Sequence, residues 1–152
     1  MGDDAVAISN RGLERLSKNL HSQLEGLTID GLRIVESRKG FIRCHFTVPD
    51  RIAVNGNWHV GAMATMIDVV GAAAIFSLVG HVKVSLDFTI SFISSAKSQE
   101  EIELEAKVVG EKGKLASVVT EVRRRSNGEL IALGKQWMMA GLAEHFGKVS
   151  KL

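Results

Sequence analysis

The segment 59–79 most constrains what this chain can fold into, because it is apolar or small on every side. Asp68 is its only charged residue, and glycines and alanines occupy many of the other positions. A helix that is apolar all round belongs either in a protein core or in a membrane. A central aspartate costs about 2.5 to 3.5 kcal/mol on membrane-insertion scales. We therefore predict a buried core helix and no membrane span.

Alternating apolar and polar residues predict strands on both sides of this helix. Two alternating stretches precede it and four follow it, and they are residues 32–36, 41–48, 82–93, 102–108, 115–125 and 130–140. The pair Asn127-Gly128 is a strong hairpin signal, and short turns among the last four stretches predict antiparallel neighbours. These patterns predict an α+β fold, in which an antiparallel sheet of five to six strands wraps round a long central helix.

The length of 152 residues fits one domain. We expect three segments, which are a flexible N-terminus at 1–8, a single domain at 9–143 and a C-terminal tail at 144–152. Leucines at three- and four-residue spacing predict an amphipathic helix near the start of the domain. Ser9 or Asn10 can cap its start, and Gly26 is the predicted stop.

Composition argues against several classes of protein. The formal net charge is only +2, from 19 basic and 17 acidic side chains, so a nucleic-acid partner is not expected. A lone cysteine, Cys44, cannot form an intrachain disulfide, and no secretory signal pattern begins the chain. The five histidines lack metal-ligand spacing, so we expect neither a metal nor a cofactor. Neither a Gly-x-Ser-x-Gly elbow nor a Walker loop occurs.

The last three residues, Ser150-Lys151-Leu152, match a peroxisomal address that a receptor reads at a free carboxyl end. An unrelated chain would end this way only about once in several thousand cases. We therefore expect a peroxisomal location, with the peroxisomal import receptor as a partner of the tail.

Two features of the apolar helix can carry chemistry. Its N-terminus, at His59-Val60-Gly61, offers unpaired N–H groups and partial positive charge to a developing oxyanion. Asp68 is a lone acid in apolar surroundings, which is costly unless the acid has a function, and it suits a general base. A purely structural buried acid is the other interpretation of Asp68, and a simple helix cap is an equal interpretation of His59.

The spacing of these two features predicts a site built from two chains. Gly61 and Asp68 are seven residues apart, which is about 10 Å along one helix. A reacting carbon should lie about 3 Å from each catalytic group, so one helix serves both roles poorly. Two antiparallel helices side by side would bring the N-terminus of one near Asp68 of the other. We therefore predict a composite site in a homodimer. A homotetramer, as a dimer of dimers, is also expected, although the sequence does not decide between the two.

Three stretches carry a resemblance to a known family. They are His59-Val60-Gly61 with Ala64-Thr65-Met66-Ile67-Asp68, then Val84-Ser85-Leu86-Asp87, and then Gly128-Glu129-Leu130-Ile131-Ala132-Leu133-Gly134. In these stretches the chain resembles the PaaI-like hotdog-fold thioesterases, the group that includes the thioesterase superfamily members. The resemblance covers residues 41–139. It implies a hotdog fold and a role in lipid metabolism as a hydrolase, which converts an acyl-CoA thioester to a free acid and CoA.

The resemblance also implies roles for individual residues. The amide of Val60 or Gly61 would polarise the thioester carbonyl, Asp68 of the partner subunit would activate water or attack directly, and Ser85 would help to hold the water. Val60 stands where the family has a glycine, and Ala53 stands where it often has an asparagine. Among the substrate-binding candidates, Asn55 and Asn57 lie close to that position but out of register.

Basic residues and a methionine are weaker candidates for substrate contact. Arg123, Arg124 and Arg125 either form a solvated, charge-balanced surface or contact CoA phosphates. Met63 either packs in the core or lines an acyl pocket. Aromatic and fatty acyl groups both remain open as substrates.

Two other functions stay open. A hotdog acyl-CoA hydratase would need an aspartate and a histidine paired on one unit, whereas His59 and Asp68 fall on opposite helix faces. A non-catalytic acyl-CoA-binding protein is the second alternative, which Val60 and Ala53 favour.

Overall fold

The computed structural model describes residues 2–17, 23–82 and 84–140. Three α-helices are present in this part of the chain, α1 (Gly2–Ser17), α2 (Gln23–Ile29) and α3 (Val60–Val79), with a short 3-10 helix at Asp50–Ile52. The strands are β1 (Arg33–Arg38), β2 (Phe41–Thr47), β3 (Ala53–Val54), β4 (Asn57–Trp58), β5 (Val84–Phe92), β6 (Glu101–Lys112), β7 (Leu115–Arg124) and β8 (Leu130–Met139). The six predicted strands and the long apolar helix are therefore all observed.

The six long strands form one antiparallel sheet in the order β1-β2-β6-β7-β8-β5, which confirms the predicted α+β class. The prediction that the last four strands are sequential neighbours is wrong for β5. This strand pairs with β8 at the edge of the sheet, because β6 has β2 on one side and β7 on the other. The connection at residues 93–100 therefore crosses the sheet instead of making a hairpin.

Helix α3 packs on one face of the sheet, against β1, β2, β6, β7 and β8, and forms the centre of the core. It is long and apolar enough to cross a membrane, and here half of its apolar segment is buried inside the protein. Gly134 allows close contact, because a Cβ atom there would lie 2.5 Å from Cγ2 of Ile67. Gly80 ends the helix in the left-handed conformation, and its N–H donates to Phe76 O at 2.8 Å.

The N-terminal region differs from the sequence prediction. Helix α1 begins at Gly2, so residues 2–8 are helical and the helix starts before Ser9 and Asn10, the predicted caps. Asp4 lies in the first turn of α1, and an acidic residue there stabilises the positive end of a helix. Gly26, the predicted stop, lies inside α2, and residues 18–22 lie outside the described residues.

The residues predicted as caps instead hold α1 to the sheet. Asn10 Oδ1 accepts a hydrogen bond from the Ile34 N–H of β1 at 3.2 Å, and the hydroxyls of Ser9 and Ser37 lie 3.4 Å apart. Helix α1 therefore covers the β1 edge. The tail with Ser150-Lys151-Leu152 lies outside the described residues, so the localisation prediction stays a prediction.

The two faces of the sheet differ in chemistry. The outer face carries ion pairs, such as Arg43 with Glu36 and with Glu105, both at 2.6 Å. The hydrogen bond to Glu105 raises the pKa of the Arg43 guanidinium. On the inner face, burial raises the pKa of the Cys44 thiol to about 12, so this cysteine is a packing residue and not a nucleophile.

Candidate active site

Asp68 lies where α3, β5 and β8 meet. The Ser85 hydroxyl on β5 donates to Asp68 Oδ1 at 2.9 Å. The side-chain amide of Gln136 on β8 donates to the same oxygen, and it also lies 2.9 Å from Ser85 Oγ. No described residue donates to the other carboxylate oxygen, Oδ2. Asp68 is half-buried and lines an adjoining groove, so a water molecule or a substrate can approach its carboxylate.

A β-bulge explains why Ser85 reaches Asp68. The alternation in the sequence predicts that Ser85 shares the polar face of its strand with Asp87. In the structure Ser85 pairs with Met138 but Asp87 pairs with Trp137, so Leu86 is an extra residue in β5. The extra residue reverses the alternation, which places Ser85 on the face of buried Met138 and Asp87 on the exposed face of Trp137.

Gln136 is the site residue that the sequence analysis missed. It is 2% exposed and lies on the inner face of β8, two residues after Gly134. A single amide among apolar inward positions was the available signal, because buried polar groups need hydrogen-bond partners. Gly71 makes room for it, since a Cβ atom there would lie 2.8 Å from Gln136 Oε1. Within the described chain, this Oε1 atom is buried without a hydrogen-bond partner.

His59 caps the N-terminus of α3. Its Nδ1 atom accepts a hydrogen bond from the Gly61 N–H at 3.0 Å, and its carbonyl oxygen accepts from the Met63 N–H at 2.9 Å. Gly61 leaves room for this ring, because a Cβ atom at position 61 would lie 2.9 Å from Cε1 of the imidazole and would displace it. Of the two predicted oxyanion donors, Gly61 is thus engaged by His59. The Val60 N–H has no hydrogen-bond partner among the described residues.

The predicted substrate-binding residues lie in three separate places. Asn55 and Asn57 are exposed in the β3–β4 hairpin that leads into His59, and the Asn57 side chain donates to Asn55 O at 3.2 Å. Met63 is buried in the core. This position matches the packing interpretation of Met63.

The three arginines all have carboxylate partners. Arg123 pairs with Glu121 at 2.9 Å. Arg124 pairs with Glu100 and Glu129, and it holds the pKa of Glu129 below its ordinary value. Arg125 lies 3.4 Å from Glu101. A CoA phosphate would have to compete with these carboxylates, and the pairing matches a charge-balanced surface.

A groove of about 600 Å³ opens beside Asp68. Helix α1 forms one wall and α3 the other, and most of the lining is apolar. This volume lies within the range of about 300 to 1,000 Å³ that is usual for small-molecule sites. In the described residues, no three or more His, Cys, Asp or Glu side chains are grouped to hold a metal ion.

Comparisons with known proteins agree with this architecture. Residues 55–131 match the family described as the thioesterase superfamily. Human acyl-coenzyme A thioesterase 13 is 28% identical over 106 residues, which cover 68% of this chain and 76% of that protein. The zebrafish thioesterase superfamily member 2 structure has a TM-score of 0.81 at 21% identity, and the match covers 90% of this chain and 99% of that chain.

Two bacterial structures extend the comparison. A mutant of the phenylacetic acid degradation protein PaaI from Thermus thermophilus has a TM-score of 0.67 at 20% identity, covering 78% of this chain and 97% of that chain. A hypothetical thioesterase from Streptococcus pneumoniae, solved with coenzyme A, has a TM-score of 0.67 at 18% identity, covering 71% and 86%. These similarities establish the hotdog fold.

The chain therefore belongs to the thioesterase superfamily. Within that superfamily it is a thioesterase of the PaaI-like hotdog type, as the sequence motifs predict.

Proposed function

We propose that this protein hydrolyses an acyl-CoA thioester to a free carboxylic acid and CoA, with Asp68 as the general base or nucleophile. The observation that carries the proposal is the environment of the Asp68 carboxylate. Ser85 and Gln136 hold one of its oxygens, the other accepts no hydrogen bond from the described residues, and an apolar groove begins beside the carboxylate. Human acyl-coenzyme A thioesterase 13 and the CoA-bound Streptococcus pneumoniae structure support the choice of substrate class.

In the general-base form of the reaction, Asp68 Oδ2 takes a proton from a water molecule as its oxygen attacks the thioester carbonyl carbon. The carbonyl oxygen becomes an oxyanion, which a helix N-terminal amide stabilises by about 2.7 to 4 kcal/mol. The carbon–sulfur bond then breaks, and the leaving CoA thiolate takes up the proton held by Asp68, which regenerates the carboxylate. Ser85 and Gln136 keep the carboxylate oriented throughout, because both donate to Oδ1.

The amide comes from a second copy of the chain in this proposal. Val60 is the leading donor, since the Gly61 N–H is already bound by His59. The distance of about 12 Å between Val60 and Asp68 on one helix prevents both groups from reaching one carbon. We therefore propose a homodimer as the active unit, with dimers able to pair into a tetramer.

Asp68→Asn provides the test. An asparagine Oδ1 still accepts from Ser85 and Gln136, so the variant should fold and assemble normally. Thiol release from a panel of aromatic and fatty acyl-CoAs should fall by a factor of about 10² to 10⁴, because the base is lost. Asp87→Asn is the matched control, since Asp87 lies on the exposed face of β5, the strand that carries Ser85.

The outcomes separate the candidate functions. Full turnover by Asp68→Asn would remove this carboxylate from the mechanism. Tight acyl-CoA binding without thiol release by the unmodified protein would favour a non-catalytic binder, which the engaged Gly61 amide and Val60 favour. Double-bond hydration would identify a hydratase.

We also propose that Ser150-Lys151-Leu152 directs the protein to peroxisomes through their import receptor. A fluorescent tag at the N-terminus leaves the carboxyl end free. The tagged protein should enter peroxisomes, and deletion of the three residues should leave it in the cytosol. The same distribution for both forms would contradict the proposal.

A further inference from the structure

We infer that helix α1 selects the substrate: the groove between α1 and α3 holds an unbranched, medium-length acyl chain, and Gly12 leaves the room that the chain occupies. This inference rests on the proposed function, because the chain must be attached to a thioester that reacts at Asp68. It assigns a specificity role to a helix that lies outside the matched family region, residues 55–131.

The groove is continuous with the candidate catalytic carboxylate. Asp68 lies on its lining, and Phe76, eight residues further along α3, lies on the same lining. Eight helical residues span about 12 Å. Carbon–carbon bonds of about 1.5 Å that meet at about 111° advance an extended chain by about 1.25 Å each, so about ten carbons cover that length. A single aromatic ring beside Asp68 would leave the Phe76 end unfilled, so the groove favours a straight chain.

Small residues keep the groove open. Ala72 and Ala73 line it from α3, and Gly12 lines it from α1. A Cβ atom on Gly12 would meet nothing within 4 Å, so this position faces free space. Glycine is otherwise unfavourable inside a helix by about 1 kcal/mol relative to alanine. The absence of a side chain at this position therefore serves the volume of the groove and not the stability of α1.

Two apolar side chains mark the rim of the groove. Ile8 of α1 and Phe76 of α3 line it, and both are more than half exposed. Exposed apolar surface of this kind is typical of a ligand-binding groove. The tail of a bound acyl chain would cover part of both side chains.

The test uses saturated acyl-CoAs from butyryl to palmitoyl, and kcat/KM for thiol release is the measurement. For the unmodified protein, kcat/KM should rise by up to about fourfold for each methylene until about ten carbons, and then level off. Gly12→Phe should lower kcat/KM for decanoyl-CoA by about tenfold or more and leave butyryl-CoA within about twofold. Arg11→Phe is the matched control, since Arg11 is exposed next to Gly12 and does not line the groove.

Ala73→Phe fills the same groove from the opposite wall, so it replaces Gly12→Phe if that variant does not fold. An equal loss for all chain lengths, or no loss, would overturn the inference while thiol release by the unmodified protein upholds the proposed function. A change of oligomeric state with a uniform loss would assign the groove to a second copy and also overturn it. Failure of the unmodified protein to release thiol from any acyl-CoA would overturn both proposals.

Discussion

The two edge strands of the sheet differ in almost every respect. β1 is six residues long and carries charged side chains. Helix α1 covers it, and Asn10 Oδ1 of that helix accepts a hydrogen bond from the Ile34 N–H. β5 is nine residues long, and no described element pairs with its outer edge. The side chains of Val84, Leu86, Phe88 and Phe92 on β5 are 38% to 52% exposed. The first edge is closed within the chain, and the second is open.

The candidate active site lies on the side of the sheet with the open edge. Ser85 belongs to β5, and its neighbour β8 supplies Gln136. A long, apolar, exposed edge strand usually pairs with another chain. The difference between the edges thus supports the proposal that a second copy binds along β5 and completes the site with its α3 amides.

Among the variants that test this difference between the edges, Phe92→Lys should have the largest effect on assembly and on thiol release. A charge on the open edge should prevent assembly, and thiol release should fall by about 10² or more because the oxyanion donor comes from the other copy. Size-exclusion chromatography with light scattering and a thiol-release assay measure the two effects. Val35→Lys places the same charge at an exposed position on β1 and should change neither assembly nor thiol release. A fully active monomer would contradict the two-chain site.

Gln136→Met should have the next largest effect, because it removes the amide and keeps a similar volume. Hydrogen bonds to charged groups contribute about 1.5 to 3 kcal/mol, so kcat should fall about ten- to a hundredfold with little change in KM. In the double variant with Ser85→Ala, kcat should fall by less than the two single losses combined predict, because both residues act on one carboxylate oxygen. Additive losses would show that Gln136 acts independently of Ser85.

Gly71→Ala should destabilise the fold by about 1 to 3 kcal/mol. The new methyl group would lie 2.8 Å from Gln136 Oε1 and 3.2 Å from Val118 Cγ1, on the side of α3 that faces β7 and β8. Urea unfolding measures the change. Gly12→Ala is the control for stability, and it should be neutral or stabilising because its methyl group meets nothing within 4 Å. Equal stability of the two variants would mean that α3 packs less closely against the site strands.

Asn10→Ala should have the smallest effect, about 1 kcal/mol of stability, because one hydrogen bond at the closed edge is lost. Asn10→Asp keeps the acceptor for the Ile34 N–H, so this variant should retain most of the stability that Asn10→Ala loses. Thermal unfolding of the three proteins measures the difference. If Asn10→Ala matched the unmodified protein, this contact would not be what closes β1.

Local patterns in the sequence determined the elements and the central acid. The apolar helix with Asp68 as its one charge and the six alternating strands could both be predicted. Each depends on side chains that are close in the chain and repeat with the period of a helix or a strand. The thioesterase class followed from the same stretches.

Only the tertiary structure decided how those elements come together. β5 lies beside β8 because β6 already has two partners, and no local pattern records which strand edges remain available. The extra residue Leu86 turns Ser85 to the inner face, which contradicts the alternation in the sequence. Gln136 and Ser85 are 51 residues apart and meet Asp68 only because strand pairing and the bulge align them. Local periodicity describes the face of one element, whereas a site shared by three elements depends on long-range hydrogen bonding between strands.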